Sequence, residues 1–385
     1  MSNSVKEVMS EILIEMAESL ESNRYYDDIK IGLTIDGSEH GSTVMEEALH
    51  IIQNRANFKI VLIGTHVDWV TDYEHYVTEC EADNHKKMEE LLSEGVIQGC
   101  VTLHYTFPIG VSTVGRVVVP STGKEMYLAT TTGTTSSNRI EAMVKNSING
   151  IIAAKTCGIQ QPTVGILNID GANSVERVLK ELKENGYDLT FAKSQRADGT
   201  ITMRGNDLLM GTPDVMVCDS LTGNLLMKLF SAYQTGGNYE AVGYGYGPGI
   251  GDSEIQNVCI ISRASGAPVI ANALQYAYEL AKGNLKKISK NEYAEAKKAK
   301  LSELCNGLNQ KQKNSSPEES VPVPEKEIVT KEISGIDVLD LDDALLVLWK
   351  EKIYAESGMG CTGPIILVNE KNIDQAKQLL EKDYL

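Results

Sequence analysis

Short runs rich in Val and Ile alternate with longer stretches of helical periodicity along most of this chain. Such alternation is typical of βαβ units, which build a mostly parallel sheet with helices on both faces. The runs that predict strands are residues 29–35, 58–64, 125–130, 163–169, 215–218 and 257–262. The stretches that predict helices are residues 43–53, 138–157, 173–185, 224–235 and 268–282. The sequence therefore predicts an α/β protein with three layers, α/β/α.

Residues 101–127 interrupt this pattern with β-branched residues, several glycines, Pro108 and Pro120. We expect a hairpin there, inserted between two α/β subdomains. A second interruption, residues 306–332, is polar, charged and proline-bearing, which predicts a flexible linker. The linker would separate an α/β body, residues 28–305, from a small C-terminal module, residues 333–385. Within the module, residues 336–354 predict a helix, residues 365–368 a strand and residues 373–380 a second helix.

Residues 1–27 predict an amphipathic N-terminal helix, because their apolar residues recur at helical spacing among glutamates. A signal peptide needs a basic start and an apolar centre, and no apolar run approaches the roughly 20 residues of a membrane span. These features predict a cytoplasmic protein with no membrane role.

The chain carries 36 basic and 53 acidic residues, a formal charge of −17. Such an excess of acid repels a phosphate backbone, so nucleic acid is not an expected partner. Six histidines and seven cysteines show no zinc-type spacing, and an odd cysteine count does not suggest a disulfide framework. We expect no metal and reduced thiols.

Three segments at the ends of predicted strands carry donors suited to an anion. Two are loops, residues 130–139 (TTTGTTSSNR) and 262–267 (SRASGA). In the third, residues 214–228 (DVMVCDSLTGNLLMK), a buried strand ends in Asp219, a short Ser/Thr/Gly turn follows and a helix begins near Asn224. Backbone N–H groups at helix starts bind anions, and α/β folds bind ligands beyond the carboxyl ends of their strands. A phosphate cradle is the functional interpretation. The alternatives are an ordinary turn in which Asp219 caps a helix, and surface ion pairs for Arg139 and Arg263.

The glycine-rich run 243–251 (GYGYGPGIG) does not fit a dinucleotide fingerprint. It is interpreted as a mobile lid or as backbone close to a ligand, with a plain surface loop as the alternative.

Among the thiols, Cys361 stands out because glycines surround it in the tail sequence GMGCTGP. Small neighbours would let a carbonyl and backbone donors approach the sulfur together, although a turn cysteine without a role is the common alternative. Cys100, four residues before His104, is the rival nucleophile. Cys157, Cys218 and Cys259 lie in apolar segments and are predicted to pack in the core.

The segments IGLTIDGSEHGS from Ile31, PTVGILNIDG from Pro162 and DVMVCDSLTGNLLMK from Asp214 resemble the acyl-carrier-protein:phosphate acyltransferases of phospholipid synthesis. ISRASGAPVIANAL from Ile261 resembles the phosphate loop of phosphotransacetylases. The resemblance covers about residues 28–285 and implies an isocitrate-dehydrogenase-like, phosphate acyltransferase-like fold.

The N-terminal helix, the linker and the GMGCTGP tail are similar instead to the alpha subunits of component C of glycine/sarcosine/betaine reductase complexes. This resemblance implies a step of amino-acid fermentation in which an acetyl thioester, formed from a carboxymethyl group on a selenoprotein, reacts with orthophosphate to give acetyl phosphate. It implies a hetero-oligomer with a component C beta subunit and the selenoprotein, with orthophosphate as substrate and no cofactor in this chain.

The resemblance and the loops together assign Cys361 as the acyl-carrying thiol, with Cys100 as the alternative. The residues expected to position phosphate are Thr134, Ser136, Asn138, Arg139, Thr222, Asn224, Ser262 and Arg263. Two other functions stay open: a stand-alone phosphate acyltransferase that uses acyl carrier protein or coenzyme A, and a non-catalytic scaffold for the beta subunit.

Overall fold

The computed structural model describes residues 27–70, 72–195, 199–253, 255–312, 321–334, 336, 341–360 and 363–381. Residues 1–26, and with them nearly all of the predicted N-terminal helix, lie outside these ranges. No helix in the described ranges is both long enough and apolar enough to span a membrane.

Helices and strands alternate along the body, as the sequence predicts. The helices are α1 (Thr43–Gln53), α2 (Glu81–Ser93), α3 (Arg139–Thr156), α4 (Ala172–Glu184), α5 (Gly205–Met210), α6 (Ser220–Ala232), α7 (Ala267–Lys282), α8 (Leu285–Lys298), α9 (Leu301–Gln312), α10 (Leu341–Lys350) and α11 (Ile373–Leu380). The strands are β1 (Lys30–Thr34), β2 (Lys59–Gly64), β3 (Glu74–Val77), β4 (Gly99–Thr102), β5 (Phe107–Pro108), β6 (Val111–Val118), β7 (Glu125–Thr134), β8 (Thr163–Leu167), β9 (Thr190–Phe191), β10 (Thr202–Met203), β11 (Val215–Val217), β12 (Gly247–Gly251), β13 (Val258–Ile260), β14 (Lys331–Ser334), β15 (Ala355–Gly360) and β16 (Gly363–Val368).

Twelve of these strands form one sheet, in the order β10-β8-β11-β7-β6-β12-β13-β4-β1-β2-β3 with β9 beside β8. Alternate residues of a strand enter different cores: Ile60 and Leu62 pack on one face, and Val61 and Ile63 on the other. Helices α1, α3, α4 and α7 supply residues to the first core, and α2 and α6 to the second. The predicted three-layer α/β/α fold is therefore confirmed.

The expected hairpin between the two halves is present as β6 and β7, and it changes the direction of the sheet. Strand β7 is antiparallel to β6, β6 to β12, and β12 to β13. The parallel strands β7, β8 and β11 therefore run in the opposite direction to the parallel strands β1, β4 and β13. The carboxyl ends of the two sets do not share one edge of the sheet.

The glycine-rich run 243–251 is not a lid, and that interpretation was wrong. Its second half is strand β12, whose five residues are all buried between β13 and β6. Gly247 has a positive φ of 83°, and a Cβ there would overlap the carbonyl oxygen of Val114. The glycines serve close strand packing in the middle of the sheet.

Two predicted boundaries near the candidate loops also need correction. Helix α6 begins at Ser220 and not at Asn224, because Asp219 caps it and places Thr222 and Asn224 inside the helix. Strand β7 continues to Thr134, since Gly133 and Thr134 pair with Ser112 and Val111, so half of the hydroxyl-rich run is strand.

The predicted linker is partly regular structure. Helix α9 extends to Gln312, past the expected boundary at 306, because Leu301 and Cys305 are buried in the body core. At the other end, the backbone N–H of Thr330 donates to the carbonyl oxygen of Val368. Residues 313–320 lie outside the described ranges.

The C-terminal module has its own core, formed by β14, β15, β16, α10 and α11. Strand β15 was not predicted, and helix α10 is shorter than the expected stretch 336–354. The module is not separate from the body, because β15 pairs in antiparallel fashion with β5: Gly358 lies opposite Pro108, and Met359 opposite Phe107. Strand β15 also lies against β7.

Candidate functional site

One group of predicted residues meets where helices α3 and α6 begin. We call Asn138, Arg139, Asp219 and Thr222 the Arg139 cluster. The Asn138 side chain accepts hydrogen bonds from the N–H groups of Ile140 and Glu141 and so caps α3. Arg139 Nη2 lies 3.0 Å from Asp219 Oδ2, and Asp219 accepts from the Thr222 N–H and hydroxyl. The sequence left open the alternative that Asp219 is an ordinary helix cap, and the structure shows such a cap.

Ser136 and Thr134 lead into this cluster. Ser136 Oγ accepts from the Asn138 N–H at 3.1 Å, and Thr134 Oγ1 donates to the Ser136 carbonyl oxygen at 2.7 Å. Beside them is a pocket of about 370 Å³ lined by Asn138, Arg139, Ser174 and Arg177 among others. The pocket offers two guanidinium groups to an anion, although Arg139 is already paired with a carboxylate.

Asp219 is largely buried, with 15% of its side chain exposed, and its contacts favour the charged carboxylate. Burial acts to raise the pKa of Asp219, but hydrogen bonds from Thr222 and Arg139 outweigh it and hold the pKa below the ordinary 3.8. The negative charge is thus retained at the start of α6, where the helix dipole favours it and where it competes with an added anion.

We expect Asp219→Ala to lower the free energy of unfolding by about 1 kcal/mol at pH 7, the usual cost of a lost N-cap. Because the pKa of Asp219 is lower in the folded chain, the part of this contribution that depends on the negative charge is complete above the ordinary value and is lost as the pH falls through the folded value. Asp219→Asn keeps the cap and is the matched control. Urea unfolding between pH 7 and pH 3 measures both; an Asp219→Ala effect that stays constant over this range would contradict the account.

A second group of polar residues lies where β13 ends. We call Lys228, Glu240, Ser262 and Ser265 the Lys228 cluster. Lys228 Nζ lies 2.7 Å from Glu240 Oε1 and 2.8 Å from Ser262 Oγ. Glu240 is only 1% exposed, and its other oxygen accepts from Ser265 Oγ at 2.8 Å. A buried carboxylate needs such partners, so Glu240 holds a half-exposed ammonium group against the loop after β13.

Asn224 belongs with this second group by position, since it lies one helical turn before Lys228 on α6. Its Nδ2 donates to the carbonyl oxygen of Thr131 in β7 at 3.2 Å. The sequence did not single out Lys228, although the residue ends the quoted motif DVMVCDSLTGNLLMK. Nothing in the sequence marks Glu240, because its burial arises only from tertiary packing.

Arg263 follows Ser262 but is paired elsewhere: its Nη2 lies 2.6 Å from Glu81 Oε1 at the start of α2. Arg139 and Arg263 therefore occupy two different ion pairs and do not converge on one ligand. Thr222 and Lys228 are six residues apart, roughly 9 Å along the helix axis. The single predicted phosphate site is divided into two clusters along α6.

Histidines lie near Arg263. Burial is the main cause that lowers the pKa of His85, and the charges of His104 and Arg263 act in the same direction. His40 Nε2 lies 3.3 Å from the carbonyl oxygen of Ala264, in the loop after β13. Imidazole groups are thus available around this loop for proton transfer.

The thiols differ sharply in environment. Cys100, the rival nucleophile, is fully buried, and burial raises its pKa far above the ordinary value, so it is neither accessible nor readily ionised. Cys218 and Cys259 are buried in the same way, as predicted, whereas Cys157 is partly buried with its pKa raised by burial to about 12. Cys361 lies outside the described residues, between strands β15 and β16 in the sequence.

The chain is similar to several known proteins. A family model described as "Fatty acid synthesis protein" matches residues 29–367. The glycine/sarcosine/betaine reductase complex component C subunit alpha of Peptoclostridium acidaminophilum is 55% identical over 378 residues, which cover 98% of each chain. A phosphate acyltransferase of Staphylococcus epidermidis is 30% identical over 156 residues, 37% of this chain and 47% of that protein.

Among solved structures, a branched-chain phosphotransacylase from Enterococcus faecalis V583 is similar with a TM-score of 0.47 and 14% identity, covering 66% of this chain and 99% of that chain. The family assignment rests on the family model and on the component C relative, which matches nearly the whole chain. The chain belongs to the fatty acid synthesis protein family and to the component C alpha subunits of glycine/sarcosine/betaine reductase complexes.

Proposed function

We propose that this chain converts an acetyl thioester and orthophosphate into acetyl phosphate, as the alpha subunit of component C in a cytoplasmic glycine, sarcosine or betaine reductase complex. Its similarity to a component C alpha subunit and to phosphate acyltransferases supports an acyltransferase related to acyl phosphates. To this general acyltransferase activity the proposal adds the acetyl substrate, the beta subunit and the selenoprotein.

In the proposed reaction, the Cys361 thiolate attacks the carbonyl carbon of an acetyl thioester on the beta subunit. A thioester to Cys361 forms and the beta subunit's thiolate leaves. A phosphate oxygen then attacks the same carbon, so that acetyl phosphate forms and the Cys361 thiolate is regenerated. The step needs an oriented phosphate and donors for the oxyanion, and the chain's part is to supply both.

The observation that carries this proposal is the pairing of β15 with β5. Because the pair is antiparallel, β15 approaches its end at Gly360 in the direction of the residues that precede Phe107, and these follow the carboxyl end of β4. Strand β13 is the parallel neighbour of β4, so its own carboxyl end, with Ser262, lies at the same edge. The direction of β15 therefore supports a reaction in which Cys361 acts beside the Lys228 cluster.

We propose that phosphate binds at the Lys228 cluster, with Asn224, Lys228 and Ser262 as its ligands. The ammonium group of Lys228 is half-exposed, is positioned by a buried carboxylate, and already contacts one hydroxyl of the loop. Lysine is a common phosphate ligand in proteins, and a charged donor contributes more than a neutral one. The Arg139 cluster and its pocket are the second candidate for the same anion.

Lys228→Gln should raise the KM for phosphate roughly tenfold or more, since losing one charge-assisted hydrogen bond costs about 1.5–3 kcal/mol. Arg139→Gln is the matched comparison in the other cluster and should change this KM much less. Acetyl phosphate formation at varied phosphate concentration measures both. A large effect of Arg139→Gln on this KM, with no effect of Lys228→Gln, would show that phosphate binds in the Arg139 pocket instead.

Arsenate-dependent release of acetate from a small acetyl thioester by the purified chain tests the function as a whole. Release by the chain alone is expected and excludes a non-catalytic scaffold. A stand-alone phosphate acyltransferase remains the alternative because of the similarity to such enzymes. It predicts equal release by the Cys361→Ser variant, whereas the proposal predicts that this variant is inactive.

A further inference from the structure

A groove of about 580 Å³ lies at the amino ends of strands β1 and β2. Helix α1 forms one wall, and the connection from β2 to β3 forms the other. The apolar part of the lining includes Leu49, Phe58, Ile60 and Trp69. None of the described residues that line the groove belongs to the Arg139 cluster or to the Lys228 cluster. The groove is therefore separate from the candidate sites described above.

Trp69 marks this groove as incomplete. Its side chain is partly buried and packs against the body core, and its Nε1 atom is screened from solvent. No described residue accepts a hydrogen bond from this N–H, and among the same residues only Glu327 has another buried side-chain atom without a partner. Native proteins rarely leave a buried donor unpaired, because the donor loses its water and gains no acceptor in return. An occupant of the groove that brings an acceptor would remove this cost.

The described part of the chain begins beside the groove. The backbone N–H of Asp27 donates to the carbonyl oxygen of Asn57 at 2.6 Å, and the Asp27 carboxylate lies 2.9 Å from Lys282 Nζ on α7. Asn57 is flanked in the sequence by Ala56 and Phe58, both of which line the groove. The 26 residues before Asp27 are thus tethered next to the groove. Such a tether gives a segment a high effective concentration at a neighbouring site.

The sequence of this N-terminal segment has the pattern that an apolar groove binds. On a helix with about 3.6 residues per turn, five of its apolar residues fall within an arc of roughly 80°. We call them the N-terminal stripe: Val5, Met9, Ile12, Met16 and Leu20. The five glutamates of the segment fall on the other side of such a helix. Amphipathic helices bind apolar grooves through residues at these intervals.

Charge and hydrogen bonding agree with an occupant from the same chain. The segment 1–26 has five acidic and only two basic residues, so an anionic lipid surface would repel the polar side of the helix. Its serine, asparagine and glutamate side chains can each accept a hydrogen bond from an indole N–H. The groove is also the apolar surface beside the point where the segment joins the body.

We propose that residues 1–26 fold back as a helix onto their own chain, with the N-terminal stripe in the groove and an acceptor of the segment bonded to Trp69 Nε1. From Val5 to Leu20 the stripe is roughly 22 Å long. Docking covers the amino ends of β1 and β2 and removes Trp69 from water. This proposal does not depend on the reaction proposed above.

Tryptophan fluorescence of the full chain tests the docking. The chain has two tryptophans, so Trp349→Phe leaves Trp69 as the single reporter. In that background, Ile12→Glu and Met16→Glu should each shift the Trp69 emission to longer wavelength and increase its quenching by acrylamide severalfold, because a charge cannot be buried in the apolar groove. Glu18→Gln, on the other side of the segment, is the matched control and should change neither quantity. Unchanged Trp69 emission in both stripe variants would overturn the proposal and leave the segment available to another partner.

Removal of residues 1–24 completes the test. The shortened chain keeps Asp27 and its contacts, and its Trp69 emission should shift as in the stripe variants. Circular dichroism checks that it folds, and the stripe variants decide the question if it does not. An excess of full chain carrying Trp69→Phe and Trp349→Phe is then added to the shortened chain. Docking within one chain predicts no recovery of the Trp69 emission, whereas recovery would show that the segment docks on a second copy and would overturn the proposal.

Discussion

Replacing Cys361 with Ser should reduce acetyl phosphate formation by roughly three orders of magnitude or more without loss of folding. The substitution hardly changes side-chain size, but it replaces a thiolate nucleophile and good leaving group with a hydroxyl. Acetyl transfer to the chain, followed by mass spectrometry of its peptides, should locate the acetyl group on Cys361 in the original chain and nowhere in the variant.

The other cysteines supply the controls for this experiment. Cys80→Ser removes an exposed thiol, and Cys305→Ser removes a buried one whose pKa is raised by burial to about 11. Both should keep near-normal activity, with Cys305→Ser losing some stability. Cys100→Ser tests the rival thiol. Near-normal synthesis by Cys361→Ser together with an inactive, folded Cys100→Ser chain would show that the site assignment is wrong.

Gly223→Ala should destabilise the chain by about 3 kcal/mol and impair activity with it. A Cβ at Gly223 would overlap the carbonyl oxygen of Thr130 in β7, a backbone atom that cannot rotate away. Helix α6 must then move outward from the sheet, and Asn224 and Lys228 move with it. Chemical unfolding measures the stability, and the KM for phosphate measures the displacement of the site.

Gly307→Ala is the matched control for this prediction. Gly307 also lies inside a helix, α9, but no atom lies within 4 Å of an added Cβ. Alanine there should stabilise the chain by about 0.5–1 kcal/mol, because it restricts the unfolded backbone more than glycine does. Equal effects of the two substitutions would mean that α6 does not pack on β7 as closely as described.

Local sequence patterns were sufficient for part of the body, since helices α2, α5, α8 and α9 and strands β3, β9 and β10 were not among the predicted elements. Strand β2 and helix α1 appear where alternating and helical periodicity predict them, because each needs only one apolar face and a turn at either end. The start of α6 was placed four residues late, since Asp219 had to be weighed as a cap against a longer turn. Strand β12 was mistaken for a lid because glycine carries no apolar signal, although its backbone is buried.

The sequence by itself determined the α/β class, the layer order and the loops that carry polar side chains. Only the tertiary structure decided how those loops are distributed. Two antiparallel strands, β6 and β12, reverse the second half of the sheet, so Arg139 and Arg263 follow strands that run in opposite directions. Strand direction depends on pairing between distant segments, which no local pattern encodes. The same reason applies to Glu240, whose burial beside Lys228 appears only once β13 and α6 are packed together.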